Sequence, residues 1–132
     1  MVDPIFIDHG FSQWAFEQHS GMLFSIDWGL NLHEPALGQC FQFMDEIMAG
    51  DYTPEIYTDD IKINSRFQFP WLAFTDPDEI AAAVDRFFEE YDVRIFAPSH
   101  ANIIRKDVKN YVGCIREGMR QAAEMPFYLW PD

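Results

Sequence analysis

Short apolar runs near the start of the chain predict β-strands. Ile5–Ile7 is an apolar run that leads into an Asp-His-Gly turn. Trp14–Glu17 and Met22–Ile26 have the composition of two more strands, and the linking segment Gln18–Gly21 is rich in residues that turns favour. The pattern therefore predicts a first strand followed by a β-hairpin.

The apolar period changes to that of a helix from Leu37 onward. Pro54 favours the start of a further short helix through Asp60, because proline suits a first helical position. The run Phe67–Phe74 is apolar and irregular, so it either covers the core or walls a pocket. The helix that begins at Leu37 should end at Gly50. Its expected apolar face consists of Leu37, Cys40, Phe41, Met44, Ile47 and Met48.

The last third of the chain predicts a helix, a strand and a final helix. Asp76 is followed by a proline and two acidic residues, which is typical of a helix start. Val93–Ala97 has the composition of a short strand, and Asp107 is placed to cap the final helix, which Pro126 ends. The order of elements predicts an α/β fold over residues 1–132, as one domain or part of one. The expected buried stripes are Ile80, Val84, Phe87, Phe88 and Tyr91, then Val108, Tyr111, Val112, Ile115 and Met119.

Composition and charge narrow the classes of partner. The chain has 132 residues, of which 48% are hydrophobic and 17% aromatic, which is enough for a packed core. Its 22 acidic and 9 basic residues give a formal charge of −13, so its surface should repel phosphate backbones and anionic lipids. No apolar stretch approaches the roughly 20 residues that a membrane span needs. We therefore expect no nucleic-acid partner and no membrane association.

Cysteine usage and the first residues bear on cellular location. Cys40 and Cys114 lie far apart among apolar neighbours and form no CxxC pair, which favours buried thiols in a reducing compartment. The first residues lack the basic region and apolar segment of a secretion signal. These features predict a cytoplasmic protein.

Three side chains that can bind a metal each follow a predicted strand. They are His9, Asp27 and His100. In a sheet of neighbouring strands, such strand ends can converge at one edge, where ligands and metals are often held. Two imidazoles and a carboxylate suit Zn²⁺ or non-haem iron. Histidines at loop starts are more often caps or hydrogen-bond partners, so spacing alone leaves both interpretations open.

The residues around these three positions resemble motifs of the metallo-β-lactamase fold. His9–Phe16, then Ser20–Asp27 with its Leu-Phe-Ser-Ile-Asp ending, is similar to the third and fourth metal motifs of that family. Ala97–His100, with the sequence Ala-Pro-Ser-His, is similar to the family's final metal motif. The order, the strand context and the ligand types agree from about Ile5 to about Tyr111.

This resemblance implies an α/β fold that is the C-terminal half of an αββα sandwich, with a mixed sheet and flanking helices. It also implies that His9 binds one metal, that His100 binds the other, and that Asp27 bridges them. The metal of the complete domain would be zinc or iron, with weak or no binding by this chain alone, and the complete domain would act on a small-molecule substrate. The family's first metal motif, HxHxDH or HxExDH, normally lies upstream, and the eight residues before His9 do not contain it. Ala101 also replaces the usual glycine, so we expect a single partial domain with no catalytic residue assigned.

Three functions are compatible with this resemblance. The first is a metal-dependent hydrolase whose upstream half is lost, truncated or encoded separately. The second is a di-iron domain that reduces oxygen or nitric oxide, since the 17 residues between His9 and Asp27 match the short interval of the flavodiiron-like branch. The third is a non-catalytic interaction module. His33 follows the aspartate closely, as a histidine does in that branch, and is either a further ligand or a loop histidine.

A half-sandwich has a physical consequence for association. In the complete fold two sheets face each other, so half of it leaves one sheet face uncovered, and that face should be apolar. The 17% aromatic content agrees with such a face. We therefore expect the chain to form a homodimer, to bind a complementing N-terminal half, or to aggregate.

Overall fold

The computed structural model describes residues 13–126, which form three strands and four α-helices. The predicted α/β class is therefore confirmed, and the strand expected at Ile5–Ile7 lies outside the described residues. The strands are β1 (Ala15–Glu17), β2 (Met22–Ile26) and β3 (Ile95–Pro98). The helices are α1 (Met44–Ile47), α2 (Pro54–Gln68), α3 (Pro77–Glu90) and α4 (Val108–Glu124), and short 3-10 helices cover Pro35–Leu37, Gln39–Phe41 and Pro70–Phe74.

The three strands form one mixed sheet in the order β1-β2-β3. β1 pairs antiparallel with β2, with Phe16 opposite Leu23, as the predicted hairpin requires. β2 pairs parallel with β3, with Leu23 opposite Phe96. A parallel pair needs a long crossover connection, which here contains α1, α2 and α3. The central strand is therefore β2, and its carboxyl end lies beside that of β3.

Side-chain caps start helices α2 and α3. Thr53 and Asp76 each accept a hydrogen bond from a backbone amide in the first turn that follows. α2 continues to Gln68, beyond the end that the sequence predicts at Asp60, because Ile61 and later residues pack into the core. Within residues 13–126, none of the helices has the length and apolar character that crossing a bilayer requires.

Aromatic rings join the sheet to helix α3. Trp14 and Trp28 stack with their ring centroids 4.7 Å apart, and Phe87 of α3 packs edge-on against both. Phe96 of β3 lies edge-on to Trp28, with 5.4 Å between centroids. All four rings are buried, so much of the aromatic content that the sequence shows belongs to the core.

The two faces of the sheet differ in burial. Leu23 and Phe96 are fully buried and belong to the core that the helices share. Side chains alternate along a strand, so Met22, Phe24 and Ile95 lie on the opposite face. All three are apolar, and Phe24 is 46% exposed. This face of the sheet is therefore apolar and partly exposed.

The single amphipathic helix predicted from Leu37 to Gly50 is wrong. Gly38 has φ 73° and lies between two 3-10 helices, and the α-helix covers only Met44–Ile47. Leu37 and Phe41, which the helical face would have buried, are exposed. The apolar spacing was misleading because a glycine within it adopts the left-handed conformation, which an α-helix cannot continue through.

Three further predictions need correction as well, for the two cysteines, for the cap of α4 and for the Phe67–Phe74 run. Cys40 is exposed rather than buried, because its segment is not a continuous helix, and Cys114 is only half-buried. Asp107 precedes α4 as predicted, but with φ 50° and without a side-chain cap hydrogen bond. Phe67 and Phe74 are exposed, so the Phe67–Phe74 run covers the core only in part.

Helices α2 and α4 approach each other closely at Gly118. A Cβ atom at this position would lie 2.7 Å from the Cβ and Cγ2 atoms of Ile61 and 2.7 Å from the carbonyl oxygen of Thr58. Glycine therefore permits a helix contact that any larger residue would push apart. Ile61, Ile115 and Met119 are fully buried in the same core.

A pair of glycine substitutions in α4 tests this contact. Gly118→Ala should lower the free energy of unfolding by about 2 kcal/mol, since its methyl group would overlap α2. Gly113→Ala, whose added Cβ would have no atom within 4 Å, should raise it by about 1 kcal/mol through helix propensity. Urea unfolding followed by circular dichroism measures both changes. If both substitutions changed the free energy of unfolding in the same direction, the close contact of α2 and α4 at Gly118 would be contradicted.

Candidate metal centre

Asp27 and His100 lie side by side at the carboxyl edge of the sheet. Asp27 directly follows β2, and His100 lies in the loop after β3 (residues 99–103, the His100 loop). The parallel pairing continues past the strands, because the amide of Ser99 donates a hydrogen bond to the carbonyl of Ile26 at 2.7 Å. The Nε2 atom of His100 lies 3.6 Å from the Oδ1 atom of Asp27. The structure thus brings together two predicted ligands that 72 residues separate in the sequence.

One carboxylate oxygen of Asp27 has no hydrogen-bond partner among the described residues. This oxygen, Oδ1, is buried, although the side chain as a whole is 26% exposed. Buried carboxylates are normally paired, hydrogen-bonded or bound to a metal. Two ligand atoms about 2.1 Å from one tetrahedral zinc ion lie about 3.4 Å apart, close to the 3.6 Å between this oxygen and His100. The pair therefore fits two positions around a metal ion.

The backbone is strained immediately before Asp27. Ile26 has φ 56°, in the left-handed region that β-branched residues rarely adopt. The register of β2 against β3 also shifts between Phe24 and Ile26, as in a β-bulge. Strain of this kind concentrates at functional sites, where it re-aims a side chain. Here it turns the chain out of the sheet at the residue before the carboxylate.

Buried contacts fix the loop that follows β2 (residues 27–34, the Asp27 loop). Trp28 is held in the aromatic cluster against Trp14 and α3. The Tyr57 hydroxyl of α2 donates a hydrogen bond to the carbonyl of Gly29 at 3.3 Å. Gly29 has φ 84°, and a Cβ atom there would lie 2.2 Å from an aromatic ring of β3. The loop therefore follows one defined path over the core.

Asn31 and Asn102 connect the Asp27 loop to the His100 loop. The Nδ2 of Asn31 donates to the Oδ1 of Asn102 at 2.9 Å, and the backbone amide of Asn102 donates to the Oδ1 of Asn31 at 3.0 Å. The Nδ2 of Asn102 also donates to the carbonyls of Gln39 and Gln42, both at 2.7 Å. Both asparagines are buried. Sequence reasoning missed this pair, because an asparagine in a loop usually indicates only a turn.

A buried carboxylate on α2 holds the far part of the Asp27 loop. The Oδ2 of Asp60 accepts hydrogen bonds from the amide of Leu32 at 2.8 Å and from the hydroxyl of Tyr52 at 2.5 Å. Burial raises the pKa of Asp60, and the two hydrogen bonds offset part of that rise. Burial, then the hydrogen bond to Asp60, also raises the pKa of Tyr52. The burial of Asp60 could not be predicted from the sequence, because Asp59-Asp60 has the composition of a solvated acidic face.

Within residues 13–126, neither His19 nor His33 joins Asp27 and His100 as a third ligand. His9 lies outside the described residues, and His19 is exposed in the β1–β2 turn. His33 is partly buried, and its Nδ1 atom has no hydrogen-bond partner within the described part of the chain. Over residues 13–126, however, no three His, Cys, Asp or Glu side chains come close enough together to hold a metal ion. His33 therefore does not form a three-ligand group with the Asp27–His100 pair.

Of the two candidate ligands, only His100 is largely open to solvent, since the Asp27 side chain is 26% exposed. The His100 side chain is 75% exposed. A cavity of about 340 Å³ exists elsewhere, at the start of α4, where it is lined in part by Asp45, Met48, Lys106 and Tyr111. This cavity therefore lies apart from the two candidate ligands, Asp27 and His100.

The pH dependence of stability tests the burial of Asp60. Its folded pKa lies above the ordinary value of 3.8, so its contribution to stability is full below that pH and declines as the pH rises through the folded pKa. Asp60→Asn removes the titration but keeps an oxygen that can accept both hydrogen bonds. We therefore expect the stability of the wild type, relative to Asp60→Asn, to fall as the pH rises from below 3.8 towards neutrality.

Asp45→Asn provides a control with the opposite sign. Hydrogen bonds from Arg105 and Lys106 lower the pKa of Asp45 to about 2. Its contribution is therefore full above the ordinary pKa of 3.8 and is lost as the pH falls through about 2. The stability of the wild type relative to Asp45→Asn should rise with pH, as measured by thermal unfolding in acidic to neutral buffers. If the stability of the wild type relative to each variant changed with pH in the same direction, the assigned environments of Asp60 and Asp45 would be wrong.

Comparisons with known proteins give no match that bears on this centre. No protein-family model, no curated protein and no solved structure matches the chain. The candidate metal centre rests on two observations, which are the sequence motifs that end in Asp27 and His100 and the strand pairing that places these residues together.

Proposed function

We propose that this chain carries the C-terminal half of a metal-dependent hydrolase of the metallo-β-lactamase fold. The observation that carries the proposal is the 3.6 Å approach of Asp27 and His100 at the ends of two adjacent parallel strands. In the family that the sequence resembles, these positions hold the bridging carboxylate and the last histidine ligand. The buried Asp27 oxygen, which has no hydrogen-bond partner among the described residues, supports a role as metal ligand.

His9, Asp27 and His100 would hold the metal in this proposal. A bound zinc ion lowers the pKa of a water ligand towards neutrality and polarises the bond that the water attacks. The contribution of the chain is to fix the Asp27 carboxylate and the His100 imidazole at one edge of the sheet. Structural zinc sites use about four protein ligands, so further donors must come from the other half of the fold or from a second copy.

The partly exposed sheet face is the proposed contact surface for that partner. It carries Met22, Phe24 and Ile95, and Phe24 is the most exposed of them. Apolar faces of this kind favour association. The proposed partner is a second copy of the chain or a complementing N-terminal half of the fold. Both would cover the face, and both would bring additional side chains towards Asp27 and His100.

The proposed setting is the cytoplasm. Cys40 and Cys114 are both free thiols, which suits a reducing compartment. The formal charge of −13 disfavours nucleic acid and anionic membranes as partners. The proposed substrate of the complete domain is accordingly a small molecule.

Metal content tests the proposed centre. The purified chain is incubated with zinc or ferrous iron, freed of excess metal and analysed by mass spectrometry. If a second copy completes the centre, the wild type should retain metal, whereas Asp27→Ala, His100→Ala and His9→Ala should each lose it, because each removes one ligand. His19→Ala is the matched control, since this histidine is exposed in the β1–β2 turn and should leave the metal content unchanged.

The outcomes separate the three functions. Retention of zinc in preference to iron supports the hydrolase, and retention of iron in preference to zinc supports a di-iron domain that reduces oxygen or nitric oxide. Absence of metal from the wild type, as monomer or as dimer, would contradict both and favour a non-catalytic interaction module. Equal retention by the wild type and Asp27→Ala would place the metal elsewhere.

Size-exclusion chromatography tests the exposed sheet face. At micromolar concentration the wild type should elute as a dimer or a larger species, because the face that carries Phe24 is apolar. Phe24→Ser should shift the protein towards the monomer. Phe67→Ser removes an exposed ring from α2, away from the sheet, and should leave the elution volume unchanged. A wild type that is a monodisperse monomer would count against the half-sandwich.

A further inference from the structure

The Asn31–Asn102 pair is a direct link between the two loops that carry the candidate ligands. Asn31 lies four residues after Asp27, and Asn102 lies two residues after His100. The side chain of Asn31 acts as donor and acceptor at once, so the two hydrogen bonds fix both its distance and its orientation relative to the His100 loop. Because few residues separate each asparagine from its ligand, a shift of one loop at this point moves the ligand.

Burial makes this link costly to break. Asn31 and Asn102 are 3% and 4% exposed, so water cannot readily replace a hydrogen bond that is lost. Asn102 also binds the carbonyls of Gln39 and Gln42, which ties the segment beyond the Asp27 loop to the same point. A buried polar network whose hydrogen bonds are all formed specifies one arrangement of the segments that it joins.

Helix α2 holds the Asp27 loop from a different direction. Tyr57 and Asp60 bind the backbone of this loop at Gly29 and Leu32. These contacts place the loop on the core, but they do not set its position relative to His100. Between the two loops, the direct contacts are the strand pairing, which ends at Ser99, and the Asn31–Asn102 pair beyond it. The far end of the His100 loop is held separately, because the Ile103 carbonyl accepts from the Met44 amide.

We propose that Asn31 and Asn102 are positioning residues of the candidate metal centre. The inference rests on the proposed function, because it assigns to the pair the task of setting the separation between the Asp27 carboxylate and the His100 imidazole. The hydrogen bonds of the pair go to each other, to backbone carbonyls and, from Asn31, to the Tyr52 side chain, so the pair acts through the loops that it joins rather than as a ligand.

Amide hydrogen exchange measures the coupling without any metal. Asn31→Ala should speed exchange of the Ser99 amide, and Asn102→Ala should speed exchange of the Leu32 amide, each by about tenfold. Each of these amides belongs to the loop opposite the substitution, and its own acceptor is unchanged. The Gly21 amide, at the other end of the sheet, is the internal control and should keep its rate.

Zinc affinity of the full chain is the second readout, measured by titration calorimetry at a temperature where every variant is folded. The dissociation constant should rise about tenfold in Asn31→Ala and in Asn102→Ala, as for other residues that orient metal ligands. The loss in the double variant should be smaller than the product of the two single losses, since both substitutions remove the hydrogen bond between the two side chains. Val84→Ala removes a buried side chain of α3 that belongs to neither loop; it lowers stability and should leave the dissociation constant unchanged.

The two readouts separate failure of this inference from failure of the proposed function. Unchanged exchange of the Ser99 amide in folded Asn31→Ala overturns the inference, whatever the zinc result. An equal loss of zinc affinity in Val84→Ala also overturns it, because the effect is then general destabilisation. If the wild type binds zinc no better than Asp27→Ala, the proposed function fails, and the exchange rates alone decide the coupling. Asn31→Ala suffices if Asn102→Ala does not fold.

Discussion

The parallel pairing of β2 with β3 is the constraint on which the rest of the structure depends. It requires a long crossover, and the chain between the two strands supplies α1, α2 and α3 for it. With α4, these helices bury the face of the sheet that carries Leu23 and Phe96. Because parallel strands end at the same edge, Asp27 and His100 emerge beside each other. The candidate metal centre is therefore a consequence of strand direction, refined by hydrogen bonds between the loops.

Two features of the surface agree with one interpretation of the chain. The candidate ligand His100 is largely exposed, and the sheet has an apolar face that carries the exposed ring of Phe24. Both support the proposal that the chain is one half of a two-sheet sandwich whose metal ligands come from both halves. The core around Trp28 and Phe87 is nevertheless well packed. The residues described here thus combine a buried core of their own with a site and a sheet face that suit a second unit.

The sequence predicted what local patterns determine and missed what distant partners determine. The hairpin, α3 and α4 were predicted because apolar period, turn residues and the Asp76 cap lie within each segment. The helix expected after Leu37 failed because the left-handed conformation of Gly38 outweighs the apolar spacing. The proximity of the two ligands depended on strand order, which no local pattern specifies. Asn31 and Asp60 could not be identified, since their partners lie 71 and 28 residues away.

The separation of the two ligands along the chain also orders events in time. Asp27 and His100 face each other only after a segment of 72 residues has been closed into a loop, and contacts of such long range form slowly during folding. Helices α2 and α3 can form earlier, because their hydrogen bonds are local. In a newly made chain whose helices have formed, Asp27 and His100 are therefore not yet close together. The proposed centre would capture its metal after folding, unlike small zinc domains, which fold around the ion.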